Sequence, residues 1–246
     1  MKAHSQNISR SHSWRGKTFK VEVLFSGAGV AQTIWIERNG QALLFDTGDG
    51  ALRDLLNNDF DLNKLQAIYY THGHFDHIGG LYSLLGFLRM VGRTANLIVA
   101  FPERTAEIPA IVKSFLSIYQ KTTPYKIELR ELKPFQKITL DDITIDPFPM
   151  MHCGSIEGGE ILDRIPAYGY RITDGRESIA ISGDTGLCPE LSELIKGADL
   201  AILEATYRDS SEISREMLGQ VHLSEDIASE IGQLAKEFIL IHKGRR

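Results

Sequence analysis

The chain has 246 residues, of which 43% are hydrophobic and 24% are charged, and this composition excludes a disordered or collagen-like protein. No apolar run approaches the ~18 residues that a membrane helix needs, so no membrane partner is expected. The formal charge of −5 gives no global attraction to nucleic acid. Residues 1–17 lack the apolar segment of a secretory signal and are predicted to form a flexible tail. The two cysteines are too few for a disulfide framework, which fits a cytoplasmic location.

The remaining residues, 18–246, alternate short strands with helices and contain no linker rich in Pro, Gly or Ser, which predicts a single α/β domain. Strands are predicted at residues 20–25, 33–37, 42–45 and 67–70, and helices after Gly50 and within 81–88 and 111–119. Asn39-Gly40, between the second and third strands, is a strong hairpin signal. The second half has predicted strands at residues 126–130, 143–147, 168–173, 178–182, 200–204 and 238–241, and predicted helices at 189–196 and 224–236.

Each half of the chain places an aspartate, followed closely by glycine, directly after a predicted strand. Asp46 lies in the sequence Phe-Asp-Thr-Gly, and Asp184 lies in Gly-Asp-Thr-Gly. We interpret this weak similarity as an internal duplication. Two similar halves would leave a cleft where their strand ends meet.

The sequence Thr-His-Gly-His-Phe-Asp-His follows the predicted strand at 67–70 and places four metal-binding side chains within six positions. If the strand continues, its two-residue period directs His72 and His74 to the same side, where they can share one cation. Asp76 and His77 then begin the next turn and suit a second cation. Imidazole and carboxylate ligands accept zinc, iron or manganese. The alternative, a polar surface loop with histidines by chance, is disfavoured by the density of the motif.

Four side chains cannot complete two coordination shells, so further ligands are expected at other strand ends. His152, Asp184 and His242 each follow a predicted strand that would deliver them to one sheet edge. Any one of them alone would more often be an ordinary polar residue. Together they complete a pair of sites, comprising His72, His74 and His152 for one metal, Asp76, His77 and His242 for the other, and a bridging Asp184. The open positions left for water are typical of a catalytic site.

This order of ligands resembles that of the metallo-β-lactamase superfamily, and within it the sequence is most similar to ribonuclease Z. The similarity covers nearly all of residues 21–246. It depends on the ligand motif and on segments at residues 45–50, 165–172, 182–185, 203–206, 221–224 and 239–242. The resemblance implies a four-layer αβ/βα sandwich and a hydrolase with two divalent metal ions. Zinc is expected first, with manganese or iron as alternatives.

The resemblance also assigns roles that spacing alone leaves open. It places His242 in the metal shell and gives His222, with Glu204, a role in proton transfer, so the predicted catalytic residues are Asp76, Glu204 and His222. In the implied reaction a metal-bound hydroxide attacks phosphorus, the cations stabilise the growing oxygen charge, and the departing alkoxide takes a proton. Alternatively, Glu204 could form a salt bridge at a strand end, and His222 could cap the helix predicted from Ser224.

Two segments depart from ribonuclease Z. Many members of that family insert a long arm that grips transfer RNA, but here residues 174–177 predict a tight hairpin. Residues 154–164 form an inserted glycine-rich stretch that would lie over the metal cleft and restrict it to small substrates. A small phosphodiester is therefore the favoured substrate, and RNA is not favoured. A homodimer is expected from the resemblance alone.

Other functions stay open on this sequence. The same scaffold supports arylsulfatase, lactonase or thioesterase activity, although the pair of Glu204 and His222 favours a phosphodiester or sulfate over an acyl substrate. The further alternatives are a true tRNA 3′-processing endonuclease and a non-catalytic protein that binds a metal or another ligand.

Overall fold

The computed structural model describes residues 11–156 and 160–244. Its first sheet has seven strands, and their spatial order is the chain order. These strands are β1 (His12–Arg15), β2 (Lys20–Gly27), β3 (Ala31–Arg38), β4 (Gln41–Phe45), β5 (Leu65–Tyr69), β6 (Leu97–Pro102) and β7 (Ile127–Leu132). Neighbours from β1 to β4 are antiparallel, and those from β4 to β7 are parallel.

The second half of the chain builds the other sheet and a short ribbon. Its strands are β8 (Ile138–Leu140), β9 (Ile143–Pro149), β10 (Cys153–Ser155), β11 (Ile161–Arg164), β12 (Tyr168–Thr173), β13 (Ser178–Ile181), β14 (Leu200–Glu204) and β15 (Glu237–Ile241). Six of them form a sheet in the order β15-β14-β13-β12-β9-β8, while β10 and β11 pair with each other. Because β13, β14 and β15 are parallel, their carboxyl ends meet at one sheet edge.

Seven α-helices flank these sheets within the described residues. They are α1 (Ala51–Asn57), α2 (Phe75–Ile78), α3 (Leu81–Met90), α4 (Glu107–Tyr119), α5 (Pro189–Ile195), α6 (Arg215–Gln220) and α7 (Glu225–Gly232). Alternate strand residues from both sheets share a central core. A second core joins the outer face of the first sheet to α1, α3 and α4, and a third joins the outer face of the second sheet to α5 and α7. The layers therefore run helix, sheet, sheet, helix, as predicted.

An aromatic cluster in the central core links the two sheets beneath the strand ends. The ring centroid of Phe45 lies 5.3 Å from that of Tyr69 and 5.5 Å from that of Tyr170. The Tyr170 hydroxyl donates a 2.5 Å hydrogen bond to the carbonyl of Tyr70. Since Asp46 directly follows Phe45, this cluster fixes the backbone from which the polar residues of the cleft project.

The predicted strands and the two hairpins are confirmed with small changes in their ends. Asn39 and Gly40 both have positive φ, 49° and 78°, as the tight turn between β3 and β4 requires. Residues 174–177 form the short connection between β12 and β13. Residues 154–164, predicted as an inserted loop, instead contain most of β10 and all of β11, and residues 157–159 lie outside the described residues. None of the helices in the described ranges has the length and apolarity needed to cross a bilayer.

The prediction of a flexible tail over residues 1–17 is wrong for its second part. β1 pairs with β2 along its whole length, from His12 against Val23 to Arg15 against Lys20. Trp14 packs against the central core. The buried Glu177 then accepts hydrogen bonds from three consecutive backbone N–H groups, those of residues 17–19. Residues 1–10 lie outside the described residues.

Replacing Glu177 with alanine is expected to lower the free energy of unfolding by about 3 kcal/mol, because three backbone donors lose a charged acceptor. Glu193→Ala, which removes an exposed carboxylate from α5, is the matched control and should change it by less than about 0.5 kcal/mol. Burial raises the pKa of Glu177, but the N–H bonds, led by that of Thr18, outweigh burial and leave the pKa below 4.5.

The pH dependence of that effect has a defined sign. The stabilisation by Glu177 is complete above pH 4.5 and disappears as the pH falls through the lower pKa of the folded state. The free energies of unfolding of the wild type and of Glu177→Ala, measured with denaturant from pH 7 downward, should therefore converge in acid. A difference that persists after the carboxylate is protonated would contradict this account.

Candidate active site

The first two histidines of the motif lie in a loop after β5, and Asp76 and His77 lie on α2. β5 ends at Tyr69, so the condition for pairing His72 and His74 by strand periodicity is not met. The Asp46 carboxylate causes the departure, because it accepts hydrogen bonds from the Thr71 backbone N–H at 2.8 Å and from the Thr71 hydroxyl at 2.9 Å. The loop nevertheless brings both histidines together, with ring centroids 4.7 Å apart.

His72, His74 and His152 form the first of two groups of potential ligands. One ligand atom from each lies within 4.8 Å of the others. His152 Nδ1 lies 2.8 Å from the carbonyl oxygen of Val221 and donates to it, so Nε2 keeps its lone pair and faces His74 Nδ1 at 3.2 Å. Burial lowers the pKa of His152 to about 3 and that of His72 well below its usual value. These imidazoles are therefore neutral, as metal ligation requires.

Asp76, His77 and His242 form the second group, again with ligand atoms within 4.8 Å of one another. Asp76 and His77 lie on α2, and His242 follows the end of β15. Asp76 Oδ2 lies 3.4 Å from His242 Nε2 and 3.9 Å from His77 Nε2. His242 has a φ of 53°, a conformation that non-glycine residues rarely adopt, and backbone strain of this kind occurs often at functional sites.

Asp184 lies between the two groups. Its Oδ2 atom is 3.4 to 3.9 Å from a ring nitrogen of each of five histidines, which are His72, His77, His152, His222 and His242. Its other oxygen, Oδ1, is buried without a hydrogen-bond partner, as are Nε2 of His72 and Nε2 of His77. A carboxylate at this position can contact cations held by either group.

The donor atoms fit divalent cations. Atoms that share a zinc ion at about 2.0–2.2 Å lie about 3–4 Å from each other, which matches the separations around Asp184. The buried atoms without partners would carry a desolvation cost that ligation removes. Burial lowers the pKa of His77, but Asp184 and Asp46 on either side raise it well above its usual value. This pocket therefore favours added positive charge, and nitrogen and carboxylate donors suit zinc, manganese or iron.

Several residues that orient these ligands were not among the predicted site residues. His77 Nδ1 lies 2.8 Å from Asp46 Oδ2, and Gln32 donates to the same carboxylate oxygen at 3.1 Å. His242 Nδ1 lies 3.1 Å from the Thr206 hydroxyl. Such contacts fix which ring nitrogen faces the centre. The sequence signal for Asp46 was its Phe-Asp-Thr-Gly motif, while no local pattern identified Gln32.

Glu204 and His222 form a hydrogen-bonded pair beside this cluster, with Nδ1 and Oε1 3.0 Å apart. The fully buried Glu204 carboxylate also accepts hydrogen bonds from the backbone N–H groups of Thr185, Thr206 and Leu223. Burial lowers the pKa of His222, but Glu204 outweighs burial and raises it to about 9. The predicted pair is thus in contact, and the ion partner of Glu204 is His222 itself. The helix that follows has Ser224 as its N-cap and no side-chain cap hydrogen bond.

His222 also belongs to a group with Asp184 and His242 whose ligand atoms lie within 4.8 Å. Its Nδ1 is 3.9 Å from Asp184 Oδ2 but 0.9 Å closer to Glu204. Because Glu204 occupies Nδ1, only Nε2 of His222 is left for another partner. The geometry therefore brings both His222 and His242 to the centre.

The ribbon of β10 and β11 flanks the first group. A Cβ atom on Gly154 would lie 3.7 Å from His74 Nε2 and 3.4 Å from the Leu162 side chain. The backbone N–H of Ile165 donates to the His152 carbonyl at 3.0 Å, which ties the ribbon to a potential ligand. On the opposite side, the turn between β2 and β3 approaches the second group, where the Gly29 N–H donates to Asp76 Oδ2 at 2.9 Å.

Sequence comparison assigns most of the chain to one protein family. The family model for the beta-lactamase superfamily domain matches residues 41–242. The chain belongs to the beta-lactamase superfamily. Among curated members, a ribonuclease Z of Acaryochloris marina is 24% identical over 84% of this chain and 77% of its own length. A ribonuclease Z of Ignicoccus hospitalis is 25% identical over 86% of this chain and 81% of its own length.

Solved structures confirm the predicted metallo-β-lactamase fold. The short form of human tRNase Z has a TM-score of 0.75 and 20% identity, covering 92% of this chain and 93% of that one. The metallo-beta-lactamase fold protein YhfI from Bacillus subtilis has a TM-score of 0.73 and 21% identity, covering 94% of this chain and 88% of that one. At these identities the similarity concerns the fold alone.

Proposed function

We propose that this protein, a hydrolase of the metallo-β-lactamase fold, cleaves a small phosphodiester at a binuclear metal centre. The observation that carries the proposal is the position of the Glu204 and His222 pair next to Asp184, around which two groups of ligand atoms converge. An anchored imidazole beside a cation site can supply the leaving-group proton that phosphodiester cleavage needs. The sequence relatives are ribonuclease Z proteins, which supports the same reaction class.

Each group would hold one cation, and zinc is the metal we expect. The ligands would be His72, His74 and His152 for one ion, Asp76, His77 and His242 for the other, with Asp184 shared between them. Bound cations would polarise the phosphoryl oxygens and lower the pKa of a coordinated water. Asp46 would keep His77 in the tautomer whose Nε2 faces the centre.

The reaction itself uses the protonated imidazole of His222. A water oxygen forms a bond to phosphorus as the bond between phosphorus and the leaving oxygen breaks. His222 gives its proton to the leaving oxygen, and one proton of the attacking water passes to solvent. The products are an alcohol and a phosphomonoester. Glu204 holds the ring in place and stabilises its charge, and the three backbone donors to Glu204 keep the carboxylate from moving.

A small substrate is favoured over RNA by the ribbon beside His74 and by the short connection between β12 and β13. Processing of tRNA 3′ ends is the second candidate, since the curated relatives carry the name ribonuclease Z. Arylsulfatase, lactonase and thioesterase activities are the other candidates on this scaffold, and a panel of substrates distinguishes them from phosphodiester cleavage.

The test is a substrate panel with zinc-, manganese- or iron-loaded protein, containing bis(p-nitrophenyl) phosphate, p-nitrophenyl sulfate, a lactone, a thioester and a tRNA precursor. Turnover of the phosphodiester that is lost in His74→Ala is the expected result. His12→Ala, which removes a histidine on β1 outside the cluster, is the control and should retain activity. Phosphodiester turnover no greater than that of His74→Ala would overturn the proposal, and cleavage of the precursor at its 3′ end would favour the second candidate.

A further inference from the structure

Exposed apolar side chains flank the potential ligand His74, and the proposed reaction does not use them. Phe75, the next residue in the chain, is 68% exposed, although both of its neighbours contribute to the ligand groups. Leu162, on the opposite ribbon, is 45% exposed. An exposed large apolar side chain close to a polar site can contact an apolar group of a bound ligand.

Leu162 is close to the centre. The position of a Cβ on Gly154 lies 3.4 Å from Leu162 Cδ1 and 3.7 Å from His74 Nε2, so these two atoms are at most about 7.1 Å apart, the sum of the two distances. Gly154 has no side chain at the position that contacts both atoms. A group bound there would contact the leucine while the reacting bond lies at the cluster.

The ribbon that carries Leu162 is firmly attached. β10 and β11 pair at Cys153 with Arg164 and at Ser155 with Ile161. The Arg164 guanidinium donates to the Met150 carbonyl at 3.3 Å, which holds the base of the ribbon against the chain that leads to the first ligand group. Leu162 therefore lies on a paired strand that is tied to the body of the protein.

The acidic side chains near this surface oppose a polyanion, and the Arg164 guanidinium, held at the Met150 carbonyl, offsets part of their charge. Gly73 separates the potential ligands His72 and His74 in the chain. The Glu107 carboxylate lies against this glycine, since a Cβ on Gly73 would be 2.7 Å from Glu107 Oε2. Asp163, next to Leu162, is exposed. A polynucleotide would bring further phosphates toward these carboxylates, whereas an uncharged organic group would meet no such repulsion.

We propose that Leu162 is a specificity-determining residue that selects a phosphodiester whose retained ester group is a large apolar group of the aryl class and disfavours a nucleotide chain. The reaction in this inference rests on the proposed function, whereas binding of the apolar group by Leu162 does not require it. Burying an aryl ring against a leucine is worth about tenfold or more in affinity over a methyl group at the same place.

The binding experiment separates this inference from the proposed reaction. Zinc-loaded protein is titrated with phenylphosphonate and with methylphosphonate, which share the anionic head and differ in the organic group. We expect phenylphosphonate to bind about tenfold more tightly, and Leu162→Ala to remove this preference while Leu162→Met retains it. Leu234→Ala, which truncates a leucine of similar exposure beyond α7, is the control and should keep the wild-type preference. A wild-type protein without a preference, or a preference that survives Leu162→Ala, overturns the inference.

A kinetic arm then tests substrate choice in the reaction. Bis(p-nitrophenyl) phosphate and methyl p-nitrophenyl phosphate release the same leaving group and differ only in the retained ester. Leu162→Ala should lower kcat/KM for the aryl ester about tenfold and that for the methyl ester less than twofold. Equal losses on both substrates would contradict the specificity role. No turnover of either, together with an intact phosphonate preference, would overturn the proposed reaction and leave the binding role standing.

Discussion

Asp184→Ala is expected to lose bound metal and to reduce phosphodiester turnover by about 10³-fold. The reason is the position of the Asp184 carboxylate, which lies within 3.9 Å of ring nitrogens from both ligand groups and is the only acidic group among the described residues with that placement. Removal of a shared anionic ligand raises the repulsion between two neighbouring cations and leaves each with fewer donors. Loss of the cations would remove about 4 kcal/mol of transition-state stabilisation, which corresponds to the 10³-fold effect.

Metal content per chain and activity should be measured together for this variant. Asp184→Asn keeps the shape but removes the charge, and Asp59→Asn makes the same chemical change on an exposed residue after α1. We expect fewer than two ions in Asp184→Asn and wild-type content in Asp59→Asn. Zinc should also raise the melting temperature of the wild type far more than that of Asp184→Asn, since a ligand stabilises only the state that binds it. Full metal content in Asp184→Asn would contradict the shared role.

The residues of the candidate site were predictable because their sequence signal is local. The motif from His72 to His77 is dense, and His152, Asp184 and His242 each follow a strand that sequence patterns predict. In a sheet whose strands run parallel, the carboxyl ends converge whatever the detailed path of the loops. For that reason the site residues come together even though β5 ends before the first histidine.

The contacts that orient those residues depend on partners far apart in the chain, and the sequence did not identify them. His77 lies between Asp46 and Asp184, which come from different sheets, and His152 is oriented by the backbone carbonyl of Val221. Every residue has a backbone carbonyl, so no side-chain pattern in the sequence can identify this hydrogen-bond partner. Asp46 has a φ of 58°, and the capture of Thr71 by its side chain bends the loop, an effect that strand periodicity cannot anticipate.

The N-terminal strand and the ribbon escaped prediction for a related reason. β1 is short, half exposed and rich in polar residues, so it has no periodic signal of its own and is defined by its pairing with β2 and by Glu177. β10 has three residues, one of them a glycine. Such strands form because a partner is already in place, whereas strand propensity by itself would not select them.

His222→Ala is expected to retain both metal ions while lowering kcat for substrates with poor leaving groups by about 10²-fold or more. Glu204 lies 3.0 Å from Nδ1 of His222 and outweighs burial to raise the pKa of the ring to about 9, so the imidazole carries the proton that a leaving group needs. A proton donor matters most when the departing alkoxide is strongly basic, so an alkyl phosphodiester should suffer a much larger loss than p-nitrophenyl esters. A ligand role would lower turnover of both substrates alike. Metal analysis alongside the two rates decides the matter, with His242→Ala as the matched histidine variant that should lose metal. If His222→Ala lost a cation and His242→Ala kept both, the assignments of these two histidines would have to be exchanged.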